Sequence, residues 1–209
     1  MIDYTCYLIT DPDLAGGRDK VIDIVEEAVA GGVTVVQLRD KHAPDEVVAA
    51  QARELMRRID VPIVINDRVA VAAELGLHVH VGQGDQPVAE VRDLVGPHAL
   101  IGLSCDSHAD LNIIDPATRP NVVGIGPVWN TTTKADAPAG IGAPALDYLA
   151  RAAHDMGVKA VAIGGIDATN VAEVGRTAVD GFCVVSAIMA ADDPRAAARQ
   201  LRTRFEEAR

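Results

Sequence analysis

Short apolar runs recur along the chain at positions 4–10, 34–40, 62–67, 78–82, 100–105, 122–129, 160–166 and 182–188, each of a length that suits a buried strand. Most of the intervening segments carry apolar residues at helical spacing, as in Val21, Ile24, Val25, Ala28 and Val29, or Val47, Val48, Ala52, Leu55 and Met56. Eight strands alternating with helices predict a parallel sheet. Helix punctuation agrees: Gly31-Gly32 ends the first helix, Pro44 opens the second and Pro194 opens the last. The weakest unit is 106–121, where Pro116 and Pro120 predict a short or irregular fifth helix.

Polar clusters follow the apolar runs at Gln37 to Lys41, Asn66 to Arg68, Gln83 to Asp85, Ser104, and Thr131 to Lys134. All of them fall at the carboxyl ends of predicted strands. A closed barrel gathers those ends at one mouth, whereas an open sheet spreads them apart. The expected fold is therefore α/β, a single (β/α)8 TIM barrel spanning 1–209, with no linker or composition shift to mark a second domain.

Composition narrows the function classes. Hydrophobic residues make up 49% of the 209-residue chain but aromatic ones only 3%, so the core must be aliphatic, as buried parallel strands favour. A net charge of −11 argues against a nucleic-acid partner, which requires an electropositive face. No apolar stretch approaches the roughly 20 residues that span a bilayer, and the acidic Asp3 replaces a basic, signal-like start, so the expected location is cytoplasmic. Cys6, Cys105 and Cys183 are odd in number, far apart and within apolar runs, and are expected as buried thiols. A homo-oligomer is compatible with the sequence but unsupported by any feature of it.

The candidate chemistry lies in the strand-end clusters. In an extended segment Gln37, Arg39 and Lys41 share one face, forming an anion clamp in an acidic chain with only four lysines. Asp67 and Asp85 end the third strand and follow the fourth. Adjacent parallel strands lie about 4.8 Å apart, so the two carboxylates can share a Mg²⁺ ion, although Asp67 as a helix cap and Asp85 as a turn residue are the alternatives. Thr131, Thr132, Thr133 and Lys134 can wrap phosphate oxygens in a closing loop. Gly164-Gly165 after the seventh strand and Val185-Ser186 at the end of the eighth occupy the recurrent phosphate position of such barrels. His78 and His80 alternate on one strand and are expected to line the barrel with satisfied hydrogen bonds, since no third zinc ligand follows. The run from Ser104 to His108 lacks the glycines of a nucleophile elbow.

Taken in order, Tyr7-Leu8-Ile9-Thr10-Asp11, Gln37-Leu38-Arg39-Asp40-Lys41, Ile65-Asn66-Asp67-Arg68, His80-Val81-Gly82-Gln83-Gly84-Asp85, Gly126-Pro127 with Thr131 to Lys134, and Gly164-Gly165-Ile166 resemble the thiamine-phosphate synthase family. The resemblance covers nearly the whole chain. It implies a transferase that joins a hydroxymethylpyrimidine diphosphate to a thiazole phosphate. Gln37, Arg39, Lys41, Asn66, Ser104 and Lys134 would hold the diphosphate substrate, with Arg39, Lys41, Lys134 and Ser104 counted as catalytic. Asp67 and Asp85 would bind Mg²⁺, while Thr131, Thr133, Gly165, Val185 and Ser186 would hold the thiazole phosphate. The sequence departs from the family pattern at Ala70, at Leu77-His78, and at Asp106, where a histidine is usual. Two rivals are a thiazole tautomerase of similar fold, which needs no diphosphate or metal ligands, and a non-catalytic barrel that binds phosphate ligands.

Overall fold

A computed structural model describes residues 2–131 and 138–209. Its eight strands are β1 (Cys6–Ile9), β2 (Val35–Leu38), β3 (Ile63–Asn66), β4 (His78–Val81), β5 (Ile101–Cys105), β6 (Val122–Ile125), β7 (Lys159–Ile163) and β8 (Gly181–Val184). All neighbours pair in parallel, and β1 pairs with β8 to close the barrel. Every predicted apolar run overlaps a strand. The longest overruns follow β6, which stops before the cis Gly126–Pro127 peptide, and β8, where the apolar residues beyond the strand lead into a short helix.

The helices are α1 (Val21–Ala30), α2 (Asp45–Arg58), α3 (Val69–Leu75), α4 (Val88–Val95), α5 (His108–Asn112), α6 (Gly142–Asp155), α7 (Val171–Gly175), α8 (Ser186–Met189) and α9 (Pro194–Glu206). The predicted punctuation holds, with Gly31 following α1, Pro44 as the N-cap of α2 and Pro194 at the first turn of α9. The unit with two prolines has only the five-residue α5, whose N-cap Ser107 forms a capping box with Asp110.

Strand alternation divides the core into two layers. Val36, Ile65, Val79, Leu103, Val123, Ala160 and Phe182 face outward and pack beneath the helices. Tyr7, Val35, Val64, Val122, Val161 and Cys183 turn inward and fill the barrel, so its lower half is a packed plug rather than a channel. Cys6, Cys105 and Cys183 are free and buried. No helix among the described residues is long and apolar enough to cross a membrane.

Candidate active site

Above the apolar plug, the inward positions change character. Register places Gln37, Asn66, His80 and Ser104 on four adjoining strands, β2 to β5, at the level of the mouth. The opposite wall carries Ile9, Gly124, Gly126, Ile163 and Cys183. The cavity therefore has a polar half and an apolar, glycine-rich half, within a volume of about 1040 Å³.

The anion clamp is built on β2. Gln37 is buried and its Nε2 donates to Tyr7 Oη at 3.1 Å. Just past the strand, the Arg39 backbone is clamped by Thr10, whose Oγ1 accepts from Arg39 N at 2.9 Å and donates to its carbonyl at 3.1 Å. The guanidinium then reaches Asp11 Oδ2 at 3.1 Å. Lys41 follows as an exposed side chain on the cavity wall. Its loop is fixed by buried Asp40, which accepts from His42 N and Ala43 N at 3.0 Å each and from Arg18 Nε. Arg18 and those backbone groups hold the Asp40 carboxyl below its ordinary value against the effect of burial.

Next to the clamp stand the two carboxylates. Among the described residues, Asp67 is the one non-glycine position with positive φ, at 60°. Backbone strain of this kind persists only where surrounding structure imposes it, and here Asp67 N is tied to the His80 carbonyl at 2.9 Å. Burial, and then the facing charge of Asp85, raise the Asp67 pKa, while Asn66 and Lys41 oppose the shift. Asp67 makes no side-chain cap to α3, so the capping alternative fails. Asp85 does accept from Gly82 N at 2.7 Å, so it is a turn residue that also faces Asp67. No group of three or more His, Cys, Asp or Glu residues suited to a metal exists among the described residues. Two hard carboxylates whose like charges repel one another still match a Mg²⁺ ion that takes its remaining ligands from water and substrate phosphates.

Ser104 ends the polar half-ring. Its carbonyl accepts from Gln83 Nε2 at 2.8 Å, and its Oγ lies 3.0 Å from His80 Nε2. Burial lowers the His80 pKa to about 4. His78 accepts from Leu100 N through Nδ1 at 3.1 Å, as expected of a satisfied lining histidine. His80 departs from that expectation, because its buried Nδ1 has no hydrogen-bond partner. His108 stands away from the cavity, stacked on Tyr148 with ring centroids 5.6 Å apart.

The opposite rim gathers Thr131, Gly165, Val185 and Ser186 around the same cavity. Gly164 and Gly165 have φ of 93° and 67°, and a Cβ on Gly165 would lie 2.8 Å from Trp129 Cβ. Thr132, Thr133 and Lys134 lie outside the described residues. Every other sequence-predicted site residue lines the one cavity. Sequence reasoning passed over the Arg39–Asp11 pair, the His80–Ser104 contact and the Gln83 brace.

A profile of the thiamine monophosphate synthase family matches residues 6–188. The chain belongs to that family. Among thiamine-phosphate synthases, the Chloroflexus aurantiacus protein is 45% identical, with 97% of this chain and 93% of that protein covered. A solved structure of a thiamine phosphate pyrophosphorylase from Pyrococcus furiosus superimposes with a TM-score of 0.84 at 32% identity, covering 99% of this chain and 98% of that one. The thiamine biosynthesis multifunctional protein of Corynebacterium efficiens is 48% identical over 100% of this chain, but the chain spans only 30% of its length. Such a synthase-family barrel can thus occur as a separate chain or as part of a longer one.

Proposed function

We propose that the chain is a thiamine-phosphate synthase that couples 4-amino-5-hydroxymethyl-2-methylpyrimidine diphosphate to 4-methyl-5-(2-phosphoethyl)thiazole, giving thiamine phosphate and diphosphate. The observation that carries this reading is the meeting of Arg39, Lys41, Asp67 and Asp85 in one mouth of an otherwise acidic molecule. Cations and paired carboxylates together suit a diphosphate that arrives with a divalent ion. The two heterocycles are those that the resemblance to the family implies.

The reaction needs no protein nucleophile. The C–O bond between the pyrimidine methylene and the diphosphate breaks, its electron pair leaving with the diphosphate, and the thiazole nitrogen then forms the new C–N bond to the methylene. Arg39 and Lys41 would offset charge growing on the departing oxygens. Asp67 and Asp85 would hold Mg²⁺, which supplies electrostatic stabilisation of the leaving group when bound. Gln37, Asn66 and Ser104 would orient the pyrimidine, with Thr131, Gly165, Val185 and Ser186 receiving the thiazole phosphate. Lys134 and Thr133 retain the roles implied by resemblance. Alignment of the two rings within the cavity supplies the remaining advantage.

A thiazole tautomerase would leave Arg39, Lys41, Asp67 and Asp85 without a task, and a non-catalytic sensor would not require paired carboxylates beside the clamp. The test is to mix the purified chain with both substrates and Mg²⁺ and to look for thiamine phosphate by the fluorescence of its oxidation product. Product that depends on both substrates supports the reading. Its absence contradicts it.

A further inference from the structure

The imidazole of His80 stands on edge between two unlike surroundings. Its Nε2 lies 3.0 Å from Ser104 Oγ, on the cavity side. Its Nδ1 is sealed from solvent with no partner. Gly102, paired with His80 in the sheet, makes room for the ring: a Cβ there would lie 2.4 Å from Nδ1, while one on Gly124 would lie 3.6 Å from Cε1. The backbone of β5 thus stands directly behind Nδ1 and offers it no acceptor.

That asymmetry selects a tautomer. A proton on Nδ1 would be a buried donor with nothing to accept it, and would carry the full desolvation penalty of an unmade hydrogen bond. Buried N–H groups without partners are rarer in folded chains than under-satisfied acceptors, so the bare Nδ1 is the better-tolerated orphan. The remaining proton then sits on Nε2 and points at Ser104 Oγ. A serine oxygen that accepts from an imidazole N–H has its own proton free to turn elsewhere. Ser104 is exposed to the cavity.

We propose that His80 is a positioning residue: by donating from Nε2 to Ser104 Oγ, it turns the serine hydroxyl proton into the cavity and makes Ser104 a hydrogen-bond donor to an unprotonated ring nitrogen of the bound heterocycle. The identity of that heterocycle as the pyrimidine rests on the function proposed above; the tautomer does not. Gly102 belongs to the same device, because any larger residue would push the ring off Ser104.

Two measurements decide it. Long-range ¹H–¹⁵N spectra of histidine-labelled protein, with the His80 signals assigned by their loss in His80→Phe, should show protonated Nε2 and bare Nδ1. A protonated Nδ1 would overturn the proposal. In steady-state kinetics, His80→Phe should raise KM for the pyrimidine diphosphate about tenfold, the worth of one hydrogen bond, with a smaller change in kcat. His80→Gln, whose amide N–H can reach Ser104, should recover most of that loss. The double variant His80→Phe with Ser104→Ala should be no worse than Ser104→Ala alone, whereas additive losses would contradict a shared pathway. If the unaltered chain makes no thiamine phosphate, the functional reading fails, and the spectrum still decides the state of His80.

Discussion

Arg39 Nη1 donates to Asp11 Oδ2 at 3.1 Å, and both side chains are less than one-fifth exposed. Asp11 is itself anchored, because its Oδ1 accepts from Asp13 N at 3.1 Å and Leu14 N at 3.3 Å. The loop after β1 therefore aims the cation that β2 carries. Asp11→Asn keeps the size of the side chain but removes the charge holding the guanidinium. We expect kcat/KM for the pyrimidine diphosphate to fall about tenfold, while thermal stability changes little. An unchanged kcat/KM would show that Arg39 is aimed by other contacts.

Gly165 tests the opposite rim. Its φ of 67° disfavours a side chain, and a Cβ would also crowd Trp129 Cβ at 2.8 Å and the Asn130 carbonyl at 2.9 Å. Gly165→Ala should cost about 1–3 kcal/mol of stability in urea unfolding. It should also raise KM for the thiazole phosphate more than KM for the diphosphate. Equal effects on both substrates would argue against a thiazole-phosphate role for this loop.

Asp40 gives a pH prediction with a definite sign. Its carboxyl titrates below its ordinary value in the folded chain because Arg18 and two backbone N–H groups favour the ionised form. The unfolded chain holds its proton more tightly, so the stabilisation is fully present above the unfolded value near 4 and is lost as pH falls through the lower folded value. Asp40→Asn should flatten the decline of urea stability on acidification below about pH 5. An identical acid profile in the variant would assign the acid sensitivity to other carboxylates.

How far these relationships could be read in advance depends on their physical origin. The eight strands were legible because buried parallel strands need unbroken apolar runs. The overrun at β8 arises because Ile188 is as buried as the strand before it, though it belongs to α8. Gln37, Asn66, Asp67, Asp85 and Ser104 stood out as polar residues ending apolar runs. The Arg39–Asp11 and His80–Ser104 pairs did not, because each depends on barrel register between residues 28 and 24 positions apart. A faint signal for His80 was present: alternation in β4 turns it inward, and Gly102 precedes Ser104 at the inward spacing of two.

The carboxylate pair gives the largest expected effect. Asp85→Ala should slow turnover by on the order of 10² or more, by removing support for the leaving diphosphate. Asp85 also accepts from Gly82 N, so Asp85→Asn should preserve more of the turn while still impairing the reaction. A near-normal rate in both variants would show that Asp85 is not part of the ion site.

The most direct test of the central claim is to follow diphosphate release and thiamine phosphate formation together, with both substrates present, in Mg²⁺ and after addition of a chelator. One diphosphate should be released per thiamine phosphate formed, with both processes suppressed together by the chelator and restored by excess Mg²⁺. Equal rates with and without the chelator, or diphosphate release with no thiamine phosphate formed, would contradict that claim.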